Sequence, residues 1–462
     1  MPRPRLLALV AAVVLIPAAT AQAGFLRFGP AREIAPATTT AFAFGLDAAG
    51  GGIVVRGAGT AARQTALEVL TRPPGGTAWT SSTLPETTGA SVGPVLAAAR
   101  SAAADGQGAA VIAWRVDRPR HYSGIQVTIR DPGEGGFGRP VTLADPQANG
   151  VRHPAVAISS AGDTVVAWDT GTRATHLNVQ GRIAVAVRPR GGGFGPPRIV
   201  TTSVAGAPAV GIGDDGRAVV AWERGHRVEA VGIGADGHLG TVKAVGKLRS
   251  AQTNPSVAVA PSGRAVVAWA DRSSRREGLV YAAARAPRGV FGHAQRLRTV
   301  PQTRTVNGVV ATAGRAGHLA VAWAEDDYTG HPRDRGYNGV YARAWATTAP
   351  AAGGPFRAAF PLSPGRAGYT GAPSVAMAGD GTLLAAWSFR DTDADSGIEA
   401  VTASGGRATA PQRLSSPLGP SYLVFGPGPE VGVAGRGATV VLPAPGTPTG
   451  TPVALLAADA GP

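Results

Sequence analysis

The chain of 462 residues contains no cysteine. Disulfides, thiolate metal sites and a lipid-anchored N-terminal cysteine are therefore excluded, and a chain of this length can bury a core without them. Lysine is almost missing too, at Lys243 and Lys247 only, and methionine occurs twice. Aromatic residues make up just 6% of the chain, so each buried ring weighs heavily in packing. Beyond Ile16 no uninterrupted apolar run approaches the ~18 residues of a spanning helix. No stretch carries a long helical period, which leaves short strands as the building material.

What is abundant is arginine, glycine and alanine. The formal charge is +15, nearly all of it from arginines spread along the chain. A GC-rich coding bias accounts for arginine over lysine. Attraction to an anionic polymer, such as an acidic glycan or a cell-envelope polyanion, is the functional alternative. No nucleic-acid module is recognisable, so a nucleic-acid partner is not expected. At the start, Arg3 and Arg5 precede an apolar stretch, Leu6 to Ile16, then Pro17 and Ala21-Gln22-Ala23. That order predicts a signal peptide over 1–23 and an exported chain, soluble and monomeric, starting at Gly24.

One phrase recurs through the rest. It reads GAAVIAW ending at Trp114, GDTVVAW at Trp168, and GRAVVAW at Trp222 and Trp269. GHLAVAW ends at Trp323 and GTLLAAW at Trp387. The tryptophans are spaced by roughly 47 to 64 residues, which marks one supersecondary unit used repeatedly. Degraded copies place Arg56 after GIVV and Leu442 after ATVV, raising six units to eight. Each unit carries four strand signals. In 251–302 they are PSVAVAP, AVVAW, GLVYAAARA and FGHAQRLRTV. A Phe-Gly step opens the last of them, at Phe137-Gly138, Phe194-Gly195 and Phe291-Gly292, and Phe356 and Trp79 take that place elsewhere.

The ends of the chain suggest closure. The last unit stops after VALLAADA, while Phe28-Gly29-Pro30-Ala31-Arg32-Glu33-Ile34 is a fourth strand without a unit. Pairing the two would hide edges that otherwise invite association. The expected fold is all-β: an eight-bladed β-propeller of four-stranded blades, closed by the N-terminal strand, in one domain over 24–462. Residues 24–38 form the closing strand, and the repeats span 39–90, 91–147, 148–203, 204–250, 251–302, 303–366, 367–420 and 421–462. Seven blades is the alternative. A tandem of sandwich domains fits less well, since each needs ~100 residues.

These repeats resemble those of secreted actinobacterial tandem-repeat propellers of the sialidase-like superfamily, built on "PxVAVxxxGxAVVAW … VxAAxRPxGGxFGxPxxL". The resemblance covers nearly all of the exported chain and implies the propeller architecture. Catalytic sialidases of that superfamily carry an Arg-Ile-Pro segment and Ser-x-Asp-x-Gly-x-x-Trp boxes, and neither is present here. Gly216 and Trp222, for example, lie six positions apart, where such a box needs three.

Candidate site residues follow the tryptophans, where the second strand passes to the third. Asp117, Asp169, Glu223, Asp271, Glu325, Asp326, Asp327 and Asp391 fall there, with His121, His176, His226 and His331. His153 precedes a first strand, on the same face. The longest such segment, 324–339, adds Tyr328 and Tyr337, and Tyr122 stands beside His121. Tyrosine among acids and arginines offers a sugar both a stacking face and hydrogen bonds. Asp391, Asp393 and Asp395 alternate on a tight turn in the manner of a calcium loop, although Ser396 stands where that loop has glycine and Thr402 where it has its bidentate acid. Calcium is thus the one cofactor that the sequence suggests. The strings GIGDDG and GIGADG join strand to strand and lack the helix a dinucleotide fingerprint needs. Gly89-Ala90-Ser91-Val92-Gly93 precedes a strand, not the helix of a nucleophile elbow. The sequence points to a non-catalytic binding propeller for glycans or anionic envelope polymers. A sialidase-like glycoside hydrolase or lyase working from the same loops, and a plain scaffold, are the alternatives.

Overall fold

The computed structural model describes residues 27–36, 42–47, 50–60, 63–84, 91–98, 108–118, 122–147, 151–175, 178–201, 205–249, 254–271, 277–326, 342–365, 368–390, 396–415, 429–434, 437–444 and 454–461. Among these residues every regular element is a β-strand, and they form eight antiparallel sheets. The fold is an eight-bladed β-propeller. Among the described residues no helix is long and apolar enough to cross a membrane.

Blade five shows the plan. Its strands a to d are Ser256–Val259, Ala265–Asp271, Gly278–Arg285 and Gln295–Val300, hydrogen-bonded in that order. Every residue of strand b is buried. Sheets covered on both faces need unbroken apolar runs, which explains why AVVAW does not alternate. The a strands are innermost. In order they are Phe42–Leu46, Ser91–Ala98, Val151–Ile158, Ala209–Ile212, Ser256–Val259, Thr305–Ala313, Ser374–Met377 and Glu430–Ala434. Each touches the a strand of the next blade, and the eighth touches the first.

The core is eight clusters, one at each junction between successive blades. Trp114 fills the junction of blades one and two with Ile53, Val55, Leu67 and Val69. Trp168, Trp222, Trp269, Trp323 and Trp387 do the same at the next junctions. Leu442 takes that place between blades seven and eight, beside Leu384 and Ile398. Where alanine faces alanine two sheets approach closely, and in blades two to seven an indole fills the wider gap. Truncation of such a ring to alanine costs about 3–5 kcal/mol.

Closure is by a shared sheet. Arg27–Phe28 and Arg32–Pro36 both pair antiparallel with Ala454–Gly461, Phe28 opposite Ala460 and Arg32 opposite Ala457. The Phe-Gly step lies before strand d, not within it. Its glycine N–H donates to strand c, from Gly138 to the Ile129 carbonyl, Gly195 to Val187 and Gly292 to Ala284, each at 2.9–3.0 Å. Gly29 donates to the Asp459 carbonyl at 2.9 Å in the same way. The preceding blade also grips the step. Gln295 accepts from the Phe356 N–H at 2.8 Å and donates to its carbonyl. Gln412 makes the same two bonds with Phe28. The N-terminal strand is therefore an ordinary d strand supplied from the other end of the chain.

Candidate functional site

Strands alternate in direction, so the b–c and d–a connections share one face and the a–b and c–d connections share the other. On the first face the b strands run on past their tryptophans, to Thr175 in blade three and Asp326 in blade six. The acids that follow the tryptophans are thereby strand residues, and buried ones: Asp169, Glu223, Asp271, Glu325 and Asp326. Chain continuing in register with strand a or c has both sides covered by the sheet, which draws these side chains inward.

Each of four such acids is engaged. Asp169 lies 3.3 Å from Nδ1 of His153, a residue held at φ +48° at the start of blade three. Asp271 accepts from the Arg249 amide at 3.0 Å and from its Nε at 2.9 Å. Glu325 receives Arg298 Nε at 2.5 Å and the Trp323 indole N–H at 3.1 Å, with Arg304 at 3.8 Å. Arg298 also lies 3.6 Å over the ring of Trp345, which Arg343 approaches at 5.6 Å. A guanidinium placed so close to an indole gains a cation–π contact beyond its ion pair. Asp326 accepts from the Asn307 amide. Its charge also helps to hold the phenol of Tyr369 above the ordinary tyrosine range, after burial, which is the larger cause.

Glu430 opens the a strand of blade eight, and its carboxylate lies 3.4 Å from the Ser374 hydroxyl of blade seven. Burial pushes this carboxyl up to about 7 from 4.5, against the hydrogen bond from Ser374. The folded protein then binds the proton more tightly than the unfolded chain does. Stability from this group is complete below pH ~4.5 and declines as pH rises through about 7. Glu430→Gln is expected to flatten that decline and to leave the protein about 1–3 kcal/mol more stable at pH 8, as read by denaturant melts at pH 5 and 8. An identical decline in the variant would remove Glu430 as its source.

Of the residues singled out in the sequence, the structure describes the side chains of His153 and Asp169 in blade three, Glu223 and His226 in blade four, Asp271 in blade five, and Glu325 and Asp326 in blade six. Asp117 and Tyr122 face each other's neighbours across the b–c pair of blade two, Asp117 opposite Ser123 and Arg118 opposite Tyr122. His121, His176, Asp327, Tyr328, His331, Tyr337, Asp391, Asp393 and Asp395 lie outside the described residues. Among the described residues no group of three His, Asp or Glu side chains is placed to hold a metal ion. Sequence reasoning missed Arg298, Arg304, Arg249 and Glu430. The first three lie in or just after d strands, at a spacing no motif marks.

No protein-family model matches the chain, and no curated protein is detectably similar to it. Similar solved structures include the polysaccharide lyase Uly1, at 11% identity over 77% of this chain and 88% of that one, with a TM-score of 0.42. A prolyl endopeptidase structure is similar at 12% identity over 91% of this chain and 54% of its own, TM-score 0.45. A Hadza microbial sialidase is similar at 13% identity over 74% and 73%, TM-score 0.35. Likeness of this degree assigns no activity.

Proposed function

We propose that the protein is an exported, non-catalytic propeller that binds anionic polymers, acidic glycans or envelope polyanions, through its b–c face. The supporting observation is which partner of each ion pair is turned outward. On this face the acid is inside and the cation outside: Glu325 is 0% exposed against 24% for Arg298 and 26% for Arg304, and Asp271 3% against 30% for Arg249. Glu229 and Arg224, at 8% and 47%, repeat the pattern, as do Asp169 and His153. Blade one reverses it, with Arg56 buried beneath Glu68. On the a–b/c–d face two pairs are of the opposite kind, with Arg72 buried and Asp459 half exposed, and Arg188 buried beneath Asp131, while Arg217 lies outside Asp215. Buried acids fix and orient the guanidinium groups, and the exposed edges of those groups then meet a polyanion with little further loss of side-chain freedom.

Retention on immobilised acidic polysaccharides, with a neutral polysaccharide as control, tests this. Retention is expected at low salt and should be lost above about 0.5 M, since exposed charges are screened. Arg224→Gln combined with Arg304→Gln should lower the eluting salt, while Arg217→Gln on the other face should leave it unchanged. Passage through every anionic column at low salt overturns the proposal. A hydrolase or lyase acting from the same face is a second reading, favoured by Glu430, whose carboxyl holds a proton near neutral pH. Turnover of an acidic polysaccharide that Glu430→Gln abolishes would establish it.

A further inference from the structure

The last residue of strand c is arginine in four blades, at Arg72, Arg130, Arg188 and Arg285. Each sits opposite the first residue of strand b, across from Gly52, Ala110, Thr164 and Ala265. Three of the four are structural. Arg130 donates to the carbonyl of its a–b turn glycine, Gly108, at 2.8 Å, and Arg188 to Gly162 at 3.1 Å. Arg72 reaches Gly50 at 3.5 Å. Each also meets an acid from the preceding blade: Asp459 for Arg72 at 2.6 Å, Asp47 for Arg130 at 3.6 Å and Asp131 for Arg188 at 2.5 Å.

Among the described residues Arg285 has neither bond. Its Nε is buried with no hydrogen-bond partner, and its guanidinium lies 5.5 Å over the ring of Phe291. The register explains the difference. Asp47 follows the a strand of blade one and Asp131 follows the c strand of blade two; the corresponding positions of blade four are Gly213 and Gly234. The carboxylates of Asp215 and Asp236 stand beside these two glycines, and next to Arg285 lies a pocket of about 480 Å³, lined also by Phe291, Lys243, His293 and Thr241. Asp215 is near enough to act on Arg285 electrostatically, but it forms its own ion pair with Arg217 at 3.6 Å. At the preceding junction Ile233 ends strand c, and the rim pocket there, about 380 Å³, is lined by Asp236 and Arg198.

We infer that the blade four–five pocket seats one carboxylate or sulfate group carried on a sugar. The guanidinium replaces its missing internal acid with that oxyanion, Lys243 and His293 add positive or donor edges, and Phe291 gives the ring an apolar face. The pocket lies at the outer rim near the a–b/c–d face, opposite the cations of the proposed polymer surface, and does not depend on that proposal.

The test is titration of the full chain at low salt with glucuronate, a monosaccharide sulfate, inorganic sulfate and glucose, followed by calorimetry or NMR. Saturable millimolar binding of the two acidic sugars is expected, and none of glucose. Arg285→Gln should weaken binding at least tenfold while melting close to the wild type, because among the described residues Arg285 has neither the glycine bond nor the ion pair of its counterparts; Arg188→Gln should melt lower. Equal binding by wild type and Arg285→Gln, or no saturable binding by wild type, overturns the inference, and so does binding of inorganic sulfate alone. If Arg285-dependent glucuronate binding coexists with no polymer retention, the pocket stands and the polymer proposal falls. The converse result separates them the other way.

Discussion

Removing residues 24–36 is expected to destabilise the protein by more than about 5 kcal/mol and to make it self-associate, even though that segment is far from the rest of blade eight in sequence. Phe28 is buried in the cluster with Leu384, Leu442 and Ala458, and loss of such a ring alone costs about 3–5 kcal/mol. The two bonds with Gln412 go with it, as do the Gly29 bond and the ladder from Arg32 to Pro36. Ala35, packed near Phe44 and Val441, leaves the seam between blades eight and one as well. What remains is strand Ala454–Gly461 with an open edge, a template for a second chain. Thermal melts and light scattering on the truncated chain measure both effects. Melting within about 2 °C of the full chain, without association, would show that the ring closes without this strand.

The blade count was legible because the repeat is a packing rule as well as a pattern: a residue after the GxxVV run must fill the gap to the preceding blade. Leu442 obeys it with a smaller side chain, and Arg56 departs from it by forming an ion pair with Glu68. The orphan FGPAREI strand was legible for the same reason, since its glycine makes the bond that every Phe-Gly step makes. The site was less legible. The acids after each tryptophan read as loop residues, yet pairing with strand a or c carries Asp169 and Asp326 into buried strand positions. The arginines that Asp271 and Glu325 orient belong to the preceding blade or its exit, so only the packing of blade five against blade six joins Arg298 to Glu325. Arg285 reads like its three counterparts. Its difference rests on two glycines in the blade before, which matter only once strands are aligned.

Gly246 illustrates the same limit and carries the second large effect. In the sequence KAVGK it reads as a weak point in a strand. In the fold it lies opposite Val228 on the outer strand of blade four, beneath Trp269 of blade five. A Cβ at Gly246 would stand 2.1 Å from Cζ2 of that indole and 2.7 Å from Cη2. The ring has nowhere to go: it is fully buried, and Tyr281 stacks on it at 5.7 Å. Gly246→Val is therefore expected to cost about 3–4 kcal/mol, at or beyond the upper end of ordinary overpacking. Trp269→Ala should cost about 3–5 kcal/mol through the cavity it leaves. In the double variant the valine enters that cavity, so the combined loss should fall short of the sum by at least about 1.5 kcal/mol. Chemical denaturation of the four proteins gives this coupling directly. Strict additivity would mean that the glycine and the indole do not share the space, and that the blade four–five junction, which also forms the Arg285 pocket, is packed in some other way.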